Sequence, residues 1–303
     1  MIPRVTHLTV QRQTLANLQG NLTSMADLQS KLSSGKKITV PSDDPAGASD
    51  VLRLRGEQRA LTQYARNATD GDSWLTTVDS ALQSSLTAMR RARDLTMQGG
   101  NGGLGQTSRD ALAAEIEGVR GTLMDQANAT YAGRTVFAGT SAAGFAFDAS
   151  ADPALPAAVR YAWHGVAGAS VERRVGDATT VRVDADGSAV FGDGDTSVFA
   201  LLDQVATTLR SGGDPTTHLA AIDDRMEAML GELSATGARQ NQIGSAQQTI
   251  VGSQLTTKTQ LSGIEDIDLA QTILEIQMQE VAYNGALGAA AKVLQPSLMD
   301  FLR

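Results

Sequence analysis

The chain has 303 residues, with 25 Lys+Arg against 33 Asp+Glu and a formal charge of −8. That balance offers little to nucleic acid, whose binders carry clustered basic surface. There is no cysteine, so disulfides, thiolate nucleophiles and zinc–sulfur sites are excluded.

Aromatic residues make up only 4% of the chain, and Ala, Ser, Thr, Gln and Gly dominate. A thick globular core uses more aromatics, because each buries a large area. Small side chains instead let helices approach closely, which suits slender bundles. The first residues, MIPRVTHLTVQRQTL, lack the charged-then-apolar plan of a signal peptide. No apolar run approaches the ~18–20 residues of a membrane helix. By these rules the chain is cytosolic, or it leaves the cell by a route that reads no Sec signal.

Residues 4–34 are predicted to form one helix. Leu8, Leu15, Leu18, Leu22, Met25 and Leu32 recur along it at a spacing that keeps a narrow stripe on one side. Ser33, Ser34 and Gly35 end it, and the polar loop KKITVPSDDPAGAS follows. Pro41 and Pro45 bias their preceding residues away from helix. Ser42, Asp43 and Asp44 are candidate caps for the next helix. The segment Pro41, Ser42, Asp43, Asp44 and Pro45 is therefore the expected inter-domain joint.

A second helix is predicted over 46–98, with Leu75, Val78, Leu82, Leu86 and Met89 as its clearest stripe. It stops at GGNGGLG, a helix–helix turn. A third helix, about 107–130, carries Leu112, Ile116, Val119 and Leu123. YAGRTVFAGT is short and β-like, bounded by glycines. Residues 144–196 then show strand-like alternation and the aromatics Phe145, Phe147, Tyr161 and Trp163. VRVDADGSAVFGDGD reads as strand, tight turn and strand, with Asp186-Gly187 at the turn.

Helical patterns resume near 197. Leu219, Ile222, Met226, Met229, Leu233, Ile243 and Ile250 share one register over 216–258. Gly263 marks a break, and 266–303 form the closing helix, with Pro296 as a kink near its end. Leu287, Ala291, Leu294, Leu298 and Phe301 form its stripe. The expected pairing is first helix with last, and second and third with the penultimate.

A narrow stripe is poorly covered by a lone helix in water and calls for a partner helix. These stripes run almost to both termini, where most domains fray, so they are the candidate assembly interface. Charge adds a weak hint. Residues 1–42 hold five basic residues against one acidic, a balance of +4, and residues 264–303 hold two against six, a balance of −4. Opposite signs favour pairing of the ends, although exposed pairs are individually weak.

No catalytic or cofactor-binding constellation is visible. His7, His164 and His218 fall in three different predicted elements, whereas metal and catalytic work uses clustered partners. Counting from Asp184, the sixth and twelfth places of a calcium loop hold Ala189 and Asp195 rather than Gly and Glu. GGNGGLG lacks the lysine of a phosphate-binding loop and follows no strand. Asn67-Ala-Thr69 and Asn128-Ala-Thr130 match the glycosylation triplet, which is common by chance. The expectation is no enzyme, no cofactor and no metal.

LSSGKKITVPSDDPAGAS resembles the N-terminal signature of the bacterial flagellin superfamily, and RNATDGDSWLTTVDSALQSSLTAMRRARDLTMQ continues the likeness. IEDIDLAQTILEIQMQEVAYNGALGAAAKVLQPSLMDFLR resembles its C-terminal signature. YAGRTVFAGT and VRVDADGSAVFGDGDTSVFALLDQVATTLRSG are similar to the hook–filament junction group of that superfamily. The likeness covers about 1–140 and 200–303.

The resemblance implies a mainly α fold with a small β insert, built as a long antiparallel helical bundle or coiled coil of the N- and C-terminal segments. It implies an inner terminal domain of 1–42 plus 259–303, a helical rod of 43–143 plus 197–258, and a small outer β domain at 144–196. Such a chain is a structural subunit of the bacterial flagellum in the junction ring between hook and filament; the alternative is a flagellin-type filament subunit. The implied partners are copies of itself in a ring, the neighbouring hook-associated protein, flagellin, and an export chaperone before secretion. Neither nucleic acid nor membrane is among them. The implied location is extracellular, reached through the flagellar type III channel without a cleavable signal, with terminal helices that order on assembly. A chemoreceptor-type signalling coiled coil is the different-class rival. It needs a membrane span or receptor partner and a helical tip, which this sequence lacks. An enzyme is disfavoured because no nucleophile–base pair is visible.

Overall fold

The computed structural model describes residues 7–149, 152 and 154–294. Eight α-helices are described: α1 His7–Ser34, α2 Pro45–Gly99, α3 Gln106–Ala127, α4 Ala157–Arg160, α5 Gly187–Phe191, α6 Val198–Arg210, α7 Leu219–Glu265 and α8 Leu269–Leu294. Four short strands form two antiparallel hairpins: β1 Thr130–Tyr131 with β2 Arg134–Thr135, and β3 Glu172–Arg174 with β4 Thr180–Arg182. The expected mainly α chain with a small β insert is what is seen. Contacts divide it into two compact units, 1–60 with 253–303, and 61–252. Helices α2 and α7 contribute residues to both.

In the second unit the core follows directly from the sequence stripes. Trp74, Leu75, Val78, Leu82, Leu86, Met89 and Leu95 of α2 are buried at helical spacing. They share one cluster with Leu112, Ile116 and Leu123 of α3 and with Ile222, Met229, Ile243 and Ile250 of α7. Ser85 and Thr96 are buried on the same face. Each satisfies its hydroxyl by donating to the carbonyl one turn back, Ala81 O and Ala92 O, at 2.7 Å.

The tight neighbour of α3 is α6, a helix that the expected pairing scheme omits. The scheme followed long stripes, and α6 has only 13 residues. It is, however, apolar almost throughout: Val198, Phe199, Ala200, Leu201, Leu202, Val205, Ala206 and Leu209 are all buried. Ser197 starts it by accepting from Ala200 N. Asp203 on α6 accepts from Arg120, Arg160 and the Tyr161 hydroxyl, which ties α3 and α4 to it.

The Asp186-Gly187 hairpin turn is not there. Asp186 instead caps α5, accepting from Ser188 N and Ala189 N. Asp and Gly serve equally at a turn and at a helix start, and Val190 and Phe191 sink into the core only when this segment coils. The true hairpin lies earlier, where Val175 N donates to Thr179 O at 2.9 Å. Phe191 then packs against Phe137 and Phe199, with ring centroids 5.1 and 6.1 Å apart, and Phe147 lies 5.0 Å from Phe199. The few aromatics are concentrated here.

Gly263 does not break α7, which runs on to Glu265. The break falls at Asp266–Asp268, where Asp268 starts α8 by accepting from Gln271 N. A single glycine costs a helix only about 1 kcal/mol. The expected kink at Pro296 lies outside the described residues.

Candidate assembly interface

In the first unit α1 and α8 lie against each other. The backbones of Lys36 and Asp266 pair in an antiparallel β-bridge, while Gln279 Nε2 donates to the Asn21 carbonyl at 3.3 Å. Advancing along α1 therefore moves backwards along α8, so the pair is antiparallel.

The α1 side of the seam is half-buried Leu18, Asn21, Met25, Leu28 and Leu32, at alternating spacings of three and four. From α8 come Thr272, Ile276, Gln279, Tyr283, Ala286 and Ala290. The predicted α1 stripe thus divides. Leu18, Met25 and Leu32 line the seam, while Leu15 and Leu22 stand 53% and 45% exposed on its flank. Leu287 and Ala291 are also exposed, one position off the Ala286–Ala290 row. Leu8 and Leu294 belong to α1 and α8 by backbone; Leu298 and Phe301 lie outside the described residues.

The sequence stripes missed a second face. Leu274, Met278 and Val281 stand 58%, 59% and 72% exposed in one row on α8. At about 100° per residue this row lies on the opposite side of the helix from Ile276, Gln279 and Tyr283. Leu269 and Ile273 are also exposed, on the arc between this row and the seam side. The spacing of 274, 278 and 281 is the same four-three step used to find the other stripes, so the signal was present. A helix apolar on opposite sides buries one side on its partner and offers the other.

The joint is built by backbone and carboxylates. Asp44 caps α2, accepting from Gly47 N at 3.0 Å, and Pro45 fills the first helical position, where no amide partner is needed. Asp43 closes the loop before it by accepting from Thr39 N, Thr39 Oγ1 and Val40 N at 2.9–3.0 Å. The Val40 and Thr39 hydrogen bonds hold the Asp43 carboxyl below its ordinary value. Pro41 and Ser42 are exposed and make the bend.

A second tie was not foreseen. Lys37 N donates to Glu265 O at 2.6 Å, and Ile267 N donates to Gly35 O at 3.1 Å. The Glu265 side chain, nearly inaccessible, accepts from both Lys36 and Arg55. A lone Glu at a helix end gives no sequence sign of such burial.

His164 packs edge-on to Phe145, and His218 Nε2 lies 3.2 Å from Thr208 Oγ1. Among the described residues no helix is long and apolar enough to cross a membrane, and no three His, Asp or Glu residues are grouped to hold a metal.

Residues 5–142 match the family described as the bacterial flagellin N-terminal helical region. The flagellar hook-associated protein 3 of Salmonella typhimurium is 26% identical over 92% of this chain and 93% of its own length. A flagellin of Bacillus subtilis is 26% identical over 96% and 94%. A solved structure of a flagellar hook-associated protein from Vibrio parahaemolyticus shares the fold, with a TM-score of 0.66 at 22% identity, covering 74% of this chain and all of that one. Residues 5–142 thus resemble the bacterial flagellin N-terminal helical region, and the chain as a whole is similar along nearly its full length to hook-associated protein 3 and to flagellin.

Proposed function

We propose that this chain is a structural subunit of the bacterial flagellum that joins the hook to the filament. The likeness to hook-associated protein 3, at more than nine-tenths of both chains, carries the reading. The physical support is the exposed row Leu274, Met278 and Val281 on α8. Burying each such side chain stabilises by roughly 1.5–3 kcal/mol, which is gained only when another subunit covers the row.

In this reading Leu18, Met25 and Leu32 hold α1 to α8 within each chain, and copies form a ring through Leu8, Leu15 and Leu22 of the N-terminal segment and Leu287, Ala291, Leu294, Leu298 and Phe301 of the C-terminal one. The outer row of α8 extends that interface. The inner domain is 1–42 with 259–303, the rod 43–143 with 197–258, and the outer part 144–196; Pro41–Pro45 is the joint between the first two. The neighbours are a further hook-associated protein and flagellin. An export chaperone binds the C-terminal segment before passage through the type III channel, and the subunit works outside the cell without catalysis.

The likeness to a full-length flagellin gives the second reading, a filament subunit. Deleting the gene separates them. Loss of a junction subunit leaves hooks without filaments and flagellin monomers in the medium. Normal filaments after deletion would refute the junction reading, and immuno-electron microscopy locates the protein directly.

A further inference from the structure

The glycine-rich turn between α2 and α3 carries chemistry that assembly does not use. It contains Asn101 followed by Gly102 and Gly103, all exposed. Asn101 Oδ1 accepts from Gly103 N at 3.1 Å, which folds the carboxamide back over its own C-terminal peptide and polarises its carbonyl. The backbone bonds of the turn run from Asn101 N to Gln98 O and from Leu104 N to Asn101 O, and none of them uses Gly102 N. A β-carbon built on Gly102 meets nothing within 4 Å, so there is open room for a ring at this peptide. Glycine also lets the backbone turn into the shape a ring requires.

We infer that Asn101 is a site of spontaneous deamidation. Gly102 N gives its proton to solvent, and its lone pair forms a bond to Asn101 Cγ. The Cγ–Nδ2 bond breaks, and the departing NH2 group takes up one proton, balancing the one lost from Gly102 N, to leave as ammonia. Water then opens the resulting five-membered imide at either carbonyl, giving aspartate or isoaspartate. The sum is asparagine plus water going to acid plus ammonia, with no change in oxidation state. The product places a new negative charge one residue from Gly100, where a β-carbon would lie 3.7 Å from Asp214 Oδ1. Asp214 is itself held ionised by its bonds from Thr216. The isoaspartate form also lengthens the backbone inside the turn. Age therefore loosens the α2–α3 connection.

The chain has one other Asn-Gly pair, Asn284-Gly285, in the interior of α8. There the helix must open before the Gly285 amide is free, and each 1.36 kcal/mol of opening slows the reaction about tenfold.

The test is to incubate the full-length chain at mildly alkaline pH and follow residues 94–109 and 259–292, released by trypsin, by mass spectrometry. The expected result is a gain of about one dalton, the covalent signature of the change, in 94–109, with isoaspartate found at position 101. Asn101→Gln and Gly102→Ala each suppress it, while circular dichroism shows both variants folded. No gain in 94–109 over a period in which 259–292 converts would overturn the assignment, as would a rate unchanged by Gly102→Ala.

Discussion

The Glu265 carboxylate at the end of α7 accepts a hydrogen bond from the Arg55 guanidinium of α2 at 2.5 Å, across 210 residues of sequence. Lys36 shares the same oxygen. The acid is buried while both cations reach solvent, so the carboxylate loses its compensation if they are absent, and they lose little if it is. Beside it the Gly35–Ile267 and Lys37–Glu265 backbone bonds close the crossing of the two chain ends.

Glu265→Gln is expected to weaken this crossing by roughly 1.5–3 kcal/mol, the range for hydrogen bonds to charged groups. The readout is amide exchange: Lys37 and Ile267 exchange faster, while the amides of α6 in the second unit stay as they were. Unchanged exchange at 37 and 267 would mean that the backbone bonds alone hold the joint.

The outer row of α8 separates folding from assembly. Changing Leu274, Met278 and Val281 together to serine removes apolar groups that water already touches. The isolated chain then keeps its stability to within about 0.5 kcal/mol per position, as surface changes do. Incorporation into flagella falls sharply. Ile276→Ser, on the seam side, lowers helicity in the isolated chain as well. Equal incorporation by the triple variant and the parent would rule out the row as an interface.

Acid acts on the loop before α2. The folded Asp43 carboxyl lies below its unfolded value, because Val40 N, then Thr39 N and Oγ1, donate to its ionised form. Its contribution is therefore complete above the ordinary aspartate value, about pH 4, and is lost as pH falls further and the carboxyl takes up a proton. Protection of the Thr39 and Val40 amides, measured as exchange relative to the intrinsic rate at the same pH, should fall below that pH. Asp43→Asn should remove the pH dependence. Protection at these two amides that grows as pH falls would contradict the sign.

Phe199 sits fully buried among Phe147, Tyr161 and Phe191. Phe199→Ala is expected to destabilise the second unit by about 3–5 kcal/mol. Chemical denaturation measures it. A loss below 1 kcal/mol would show that the cluster is not a load on which that unit rests.

Gly47→Ala tests the cap. A β-carbon there would lie 2.5 Å from Asp44 Oδ2 and 2.7 Å from Ile38 Cδ1. Losing the Asp44 cap costs about 1 kcal/mol, which offsets whatever alanine gains within a helix. Faster exchange at the start of α2 is the expected result.

Much of the helical frame was legible in the chain itself. Val78, Leu82, Leu86 and Met89 repeat at the helical period, and burial on one face follows from that repeat alone. So does the capping by Asp44 before Pro45, because side-chain oxygen and proline ring act within three or four residues. The seam between α1 and α8 was legible in part: the stripe showed that a partner was needed but not which leucines would meet it. Leu15 and Leu22 fell on the flank because a seam is narrower than the apolar arc that announces it.

Tertiary structure alone decided the rest. Whether Asp186-Gly187 turned a hairpin or started α5 depended on the space left for Phe191 among aromatics contributed from far along the chain. Short α6 became the neighbour of α3 because nearly all of it is apolar, a property that a periodicity search does not rank. The burial of Glu265 between Lys36 and Arg55 required the two ends of the chain to be brought together. Period and capping are local physics, carried by neighbouring residues; burial and ion pairing depend on which distant segments arrive at the same place.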